Sequence, residues 1–278
     1  MWAYLNGQIL KEDQAFISPL DRGFTFGDGV YEVIPCYAGK LFLFEDHLKR
    51  LQTSLEKTFI PFTDDIQNLD KILLELQKRN KFLNQSFYIQ VTRGTDVVRS
   101  HQAEKNLKPT VFITSQELQE NPFRINPNKK GIKVRLEEDI RWHRCDIKTI
   151  ALMGNTMTLH DPSKPSVDEI FFHKDGMISE GSKSNIFVFH KGQVFTPSLR
   201  QNILPGITRS YIIKEMQKNN IEVIESEITL EKLLASEEVW VSSSNKQVQP
   251  VSKINEYILP IKEPKDSMWY KVLEFFQN

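Results

Sequence analysis

Turn signals cut the β-rich runs of this chain into short pieces, so its sheets must close through tight reversals. Asn6-Gly7 splits Ala3 to Lys11 into two short strands, and the run from Val30 to Tyr37 ends at a turn near Gly39. Asp175-Gly176 and Lys191-Gly192 punctuate a second series that begins with β-branched residues after Gly131. Phe87 to Arg93 and Thr110 to Thr114 read as further strands. Leu48, Leu51 and Leu55, then Leu69, Ile72, Leu73 and Leu76, recur at helical spacing, which predicts amphipathic helices over about 45–57 and 64–80 with their leucines in the core. Other helices are expected after Gly206, near Leu230 and over about 267–275, where Trp269, Val272, Leu273 and Phe276 form an apolar stripe. Short strands mixed with helices indicate an α+β fold rather than a doubly wound α/β sheet.

The polar, irregular stretch 94–108 suits a surface loop. Residues 120–127 carry two prolines and no periodicity. They are expected to link a small α+β domain, 1–119, to a larger α+β domain, 128–278. Gly27-Asp28-Gly29 begins like a dinucleotide loop, but Glu32 stands where a third glycine belongs and a strand follows in place of a helix.

Lysine plus arginine equals aspartate plus glutamate at 36 each, so no basic surface for nucleic acid is expected, and an anionic ligand must be gripped by local charge. Apolar content of 40% and charged content of 26% suit a globular protein, and no apolar run approaches membrane-spanning length. Cys36 and Cys145 lie far apart, unlike any metal spacing, and read as reduced thiols. A cytoplasmic enzyme without a metal is the expectation.

From Glu138 to Asn155 the chain reads Glu-Asp-Ile-Arg-Trp-His-Arg-Cys-Asp-Ile-Lys-Thr-Ile-Ala-Leu-Met-Gly-Asn. Its lysine, Lys148, opens a run of apolar and small residues that would partly desolvate the ammonium. A desolvated lysine gives up its proton more easily, and the neutral amine can hold an aldehyde cofactor covalently. On residue chemistry alone, a snorkelling structural lysine is the commoner reading.

This segment, together with Glu180-Gly181-Ser182-Lys183-Ser184-Asn185 and Gly206-Ile207-Thr208-Arg209, closely resembles the pyridoxal-phosphate transaminases of fold type IV. Asp139 to Lys148 is most similar to the D-amino-acid aminotransferases, and the resemblance runs from Tyr4 to about Leu273. It implies that fold, pyridoxal 5′-phosphate as cofactor, and a homodimer. Lys148 matches the Schiff-base lysine, which also moves a proton as base and then acid. Glu180 matches the carboxylate facing the pyridine nitrogen, keeping it protonated. Arg50, the helix start at Gly206-Ile207-Thr208 and Ser244 match the phosphate site; Thr208 could cap that helix while its amide and that of Ile207 point outward. Tyr31 and the pair in Arg99-Ser100-His101, the pair supplied by the partner subunit, match the grip on the substrate carboxylate. The stretch Thr95-Asp96-Val97-Val98 is one residue longer than in those relatives and lacks their usual proline.

The implied activity is a transferase reaction, a ping-pong exchange of amino groups between D-amino acids (D-alanine, D-glutamate) and 2-oxo acids (2-oxoglutarate, pyruvate). A branched-chain L-amino-acid transaminase would use the same cofactor face, but the Arg-x-His loop stands against it. An aminodeoxychorismate lyase is disfavoured by Arg141-Trp142 and Cys145-Asp146. A non-catalytic small-molecule-binding protein on this fold would be expected to lack Lys148 or Glu180, and both are present.

Overall fold

A computed structural model describes residues 1–260 and 262–276. Positions 261, 277 and 278, within the span expected for the larger domain, lie outside the described residues. The chain divides into two compact units, one of residues 1–119 with 147–152 and the other of 120–146 with 153–278. The division is therefore not a single cut. Residues 147–152 belong to the first unit because their backbone pairs with a strand there, as described below.

In the first unit β1 (Trp2–Leu5), β2 (Gln8–Lys11), α1 (Arg22–Phe26), β3 (Gly29–Tyr37) and β4 (Lys40–Leu41) are followed by α2 (Phe44–Thr58). Then come α3 (Asp64–Gln67), α4 (Leu69–Asn80), β5 (Gln85–Thr92) and β6 (Thr110–Glu117). The strands form one six-stranded sheet in the order β2-β1-β6-β5-β3-β4. Alternation along β3 and β5 buries Val30, Ile34, Phe87, Ile89 and Val91 against Leu51 and Leu55 of α2 and Leu69, Leu73 and Leu76 of α4. Each such side chain contributes roughly 1.5–3 kcal/mol when fully buried. The helix expected over 64–80 is broken at Asn68 (φ −103°, ψ 22°). There the Asn68 amide donates to the Asp64 carbonyl at 2.9 Å, a side-chain competitor for the helical path. The segment before Gly27, without helical periodicity, holds the single helical turn α1, capped by Asp21 and ended by Gly27 at φ 66°.

The second unit contains α5 (Pro122–Ile125), β7 (Ile132–Glu138), α6 (Met153–Thr156), β8 (Glu169–Lys174), β9 (Met177–Gly181), β10 (Asn185–His190) and β11 (Gln193–Pro197). After these come α7 (Ile207–Lys218), β12 (Val223–Ser226), α8 (Leu230–Leu234), β13 (Glu238–Ser243), β14 (Gln247–Ile254), β15 (Tyr257–Ile258) and α9 (Met268–Glu274). Their nine-stranded mixed sheet runs β12-β11-β10-β13-β14-β7-β8-β9, with β15 against β14. Period-two alternation sends Ile186 and Val188 of β10 to one core and Phe187 to another, where it stacks on Trp240 at 5.7 Å. Residues 120–127, expected as a linker, are packed instead. Phe123 is buried edge-on against Trp269, and the Asn121 amide donates to the carbonyls of Lys246 and Val248. The two prolines conceal that anchor because one of them starts α5.

Candidate active site

In the first unit the segment with Lys148 lies along the start of β3. Tyr31 N–H donates to the Lys148 carbonyl at 2.9 Å, and Ile150 N–H donates to the Gly29 carbonyl at 3.1 Å. Gly29 permits this approach, since a Cβ there would meet the Val91 carbonyl oxygen at 2.8 Å and the Ile150 side chain at 2.9 Å. Gly27-Asp28-Gly29 is thus a seat for the lysine segment. Lys148 is half-buried, and its Nζ stands 4.2 Å from the centre of the Tyr31 ring. Tyr31 in turn packs against Tyr88 at 5.6 Å. Tyr88, Gln90 and Ile150 also line a cavity of ≈ 520 Å³ with Ile17, Phe24 and Phe112.

Arg50 is buried on the inner face of α2. Its Nε and Nη2 donate to the two oxygens of Glu32 at 2.6 and 2.9 Å, and His47 Nδ1 donates to the same carboxylate at 2.8 Å. Burial would raise the pKa of Glu32, but Arg50 and His47 outweigh it and hold the carboxyl well below the usual range. Burial likewise lowers that of His47, against the pull of Glu32. The helical leucine pattern reveals this face of α2 as core but gives no sign that Glu32 fixes the plane of Arg50.

Arg99 and His101 sit together on the exposed loop after β5. The Arg99 guanidinium lies 4.6 Å from the centre of the Phe26 ring, and the His101 ring lies 5.4 Å from it. Tyr31, the third expected carboxylate ligand, packs with Tyr88 and Lys148, whereas Arg99 and His101 rest on Phe26.

In the second unit Glu180 is buried near the end of β9. Arg141 Nη1 donates to it at 2.6 Å, Leu204 N–H at 3.0 Å and Asn185 Nδ2 at 3.3 Å. Arg141 also makes a fork with Asp139, Nε to Oδ1 at 2.9 Å and Nη2 to Oδ2 at 2.8 Å. Burial pushes the Glu180 carboxyl up to about 7 even against this arginine. The turn behind it is pinned by buried Glu169, which accepts from the hydroxyls of Ser182 and Ser184 at 2.5 and 2.7 Å. Burial also pushes the Cys145 thiol up to about 12, so it is no nucleophile at neutral pH.

The start of α7 departs from the expected capping. Gly206 is the cap residue and no side chain caps the helix; Thr208 sits inside the first turn, buried. A Cβ there would fall 1.9 Å from Asn185 Oδ1, so a larger residue would have to displace that side chain. Ser244 is half-buried in the turn joining β13 to β14. Sequence reasoning missed the roles of Glu32, Asn185 and Glu169, whose partners Arg50, Leu204 and Ser182 lie 18, 19 and 13 residues away.

Residues 29–254 match the amino-transferase class IV family. The chain is 33% identical over 252 residues to a D-alanine aminotransferase of Staphylococcus epidermidis, covering 91% of this chain and 88% of that one. It is also 33% identical to a D-alanine aminotransferase of Listeria monocytogenes, covering 92% and 88%. Among solved structures, a branched-chain aminotransferase from the archaeon Thermoproteus uzoniensis, with norvaline, superposes with a TM-score of 0.87 at 23% identity. It covers 99% of this chain and 93% of that one, a likeness of fold. The chain belongs to the amino-transferase class IV family. Its cofactor is pyridoxal 5′-phosphate, and the α+β fold is that of the type IV transaminases.

The residues fit that cofactor on their own chemistry. An uncapped helix start such as that of α7 offers backbone N–H groups and the positive dipole end to a phosphate. A buried carboxyl raised to about 7, as Glu180 is, would be stabilised as the anion by a protonated ring nitrogen. Among the described residues no helix is long and apolar enough to cross a membrane.

Proposed function

We propose that the protein is a D-amino-acid aminotransferase, moving amino groups between D-alanine or D-glutamate and 2-oxo acids such as pyruvate and 2-oxoglutarate. The observation that carries this reading is the pairing of Arg99 and His101 on one exposed loop, both resting on Phe26. Two donors of that kind suit an α-carboxylate. The D-alanine aminotransferases among its relatives support the same substrate class.

When bound, the cofactor supplies an electron sink for the carbanion formed at the substrate α-carbon. Lys148 would hold the cofactor aldehyde, and its amine, once free, would move a proton at the substrate α-carbon as base and then acid. The ring of Tyr31 beside Nζ limits where the amine can swing. Glu180 keeps the ring nitrogen protonated, while Arg141 and Asn185 orient its carboxylate. Arg50, its plane fixed by Glu32, holds the phosphate together with the first-turn amides of Ile207 and Thr208 and the hydroxyls of Thr208 and Ser244. Tyr31 of one subunit joins the Arg99 and His101 pair supplied by the other on the substrate carboxylate.

The working unit is a homodimer in this reading. Leu20, Phe24, Val97 and Val98 are exposed around the Arg99 loop, with Phe24 at 79% and Val97 at 71%, an apolar surface that a second copy would cover. Asp96 N–H donates to the Leu20 carbonyl at 3.2 Å, so these residues form one surface. The two buried free thiols suit a reducing, cytoplasmic setting. Pyruvate release from D-alanine with 2-oxoglutarate, compared with turnover of L-leucine, tests the assignment. Turnover of D-alanine alone is the expected result; turnover of L-leucine alone would move the protein to the branched-chain class.

A further inference from the structure

We propose that Arg22 is a positioning residue for substrate recognition, holding the Arg99-Ser100-His101 loop in the shape that presents its two carboxylate ligands side by side. The inference rests on the reading of Arg99 and His101 as those ligands. The Arg22 side chain is 5% exposed, and most of its bonds go to this loop. Nη1 donates to Asp96 Oδ2 at 3.1 Å and to the Ser100 carbonyl at 2.7 Å, and Nη2 donates to the His101 carbonyl at 3.0 Å. Two of these acceptors are main-chain carbonyls, so the bonds set the path of the backbone between the two ligands. Nε donates to Asp28 Oδ2 at 3.0 Å, which anchors the guanidinium from the other side.

The same guanidinium lies 4.7 Å from the centre of the Phe26 ring, the ring on which Arg99 and His101 rest. Arg22 therefore governs both the course of the loop and the platform beneath its side chains. Asp28 is gripped in turn by Arg93 at 2.7 and 2.9 Å, and Arg93 donates to the carbonyls of Thr58 and Phe59 at the end of α2. Thus the loop is tied to the helix that carries Arg50. The stretch 94–108 holds no proline, so this loop has conformational freedom to lose. A buried guanidinium fork with acceptors on several sides compensates for that freedom, and an ammonium could not reproduce its geometry.

The test compares steady-state constants and amide exchange for Arg22→Gln, Arg22→Lys and Arg99→Ala in the cofactor-loaded enzyme. Arg22→Gln is expected to raise KM for D-alanine about tenfold or more while kcat stays within about threefold, with Arg22→Lys intermediate. Amides 97–103 should exchange faster in Arg22→Gln, and the visible colour of the holoenzyme should be retained. If Arg99→Ala raises KM and Arg22→Gln does not, the positioning role is overturned and the ligand reading stands. If Arg99→Ala leaves KM unmoved, the ligand reading falls, and the role of Arg22 in recognition falls with it. Should Arg22→Gln fail to fold, Asp96→Asn, which removes one anchor of the guanidinium, must raise KM in smaller measure; an unchanged KM there overturns the proposal.

Discussion

Lys148 owes its place to the backbone around it: its carbonyl accepts from Tyr31 and its neighbour Ile150 bonds to Gly29. Removing the amine should therefore spare the fold, and Lys148→Ala is expected to give a folded protein that holds no cofactor covalently, checked by borohydride reduction and intact mass. Full turnover by that variant would remove Lys148 from the mechanism. Glu180 makes a prediction about pH. Its carboxyl is raised from 4.5 to about 7 in the folded protein, so its stabilising contribution is fully present below 4.5 and lost as pH rises through about 7. The urea midpoint of cofactor-free protein should carry this downward component between pH 5 and 8, and Glu180→Gln should remove it. Equal slopes in the two proteins would contradict the assignment. Glu32 has the opposite sign: depressed by Arg50 and His47, it contributes stability above about 4.5 that is lost on acidification. Breaking this buried pair with Glu32→Gln should cost roughly 3–5 kcal/mol, measured by denaturant unfolding at pH 7.

At the scale of elements, the proposed phosphate site stands where a helix has given up a favourable local feature. The helix α7 starts without a side-chain cap, and Gly206 lets Asn185 approach so that its amide reaches both Glu180 and the Leu204 carbonyl. Gly206→Ala would drive a Cβ to 1.9 Å from Asn185 Oδ1 and displace that amide. Cofactor affinity, followed by titration of the cofactor-free protein, is expected to fall; unchanged affinity would separate Asn185 from the site. The elements themselves were largely legible. Hairpins at Asn6-Gly7, Asp175-Gly176 and Lys191-Gly192 form with both turn residues at positive φ, and helical leucine spacing located α2 and α4. What stayed hidden was short or long-range. The single turn of α1 has no period to detect, the packing of Phe123 depends on Trp269 far along the chain, and the Glu32–Arg50 pair joins a strand to a helix.

For the whole molecule, the motif residues Lys148, Glu180 and Arg50 could be picked out because the resemblance supplied roles that spacing alone does not. Arg22, Asn185 and Glu169 could not, since each acts through carbonyls or carboxylates brought close only by folding. The exposed apolar surface beside Arg99 and His101 predicts a dimer by sedimentation in the active preparation, and a fully active monomer would contradict a carboxylate site completed by a partner subunit. The central claim, a cofactor held at Lys148 in a site that selects D-amino acids, meets its most direct test in the visible absorbance of the purified protein. It should be yellow, bleach on addition of D-alanine and stay unchanged with L-leucine. Bleaching by L-leucine instead would contradict the D-specific assignment, and a protein that stays colourless with added pyridoxal phosphate would contradict the role of Lys148 itself.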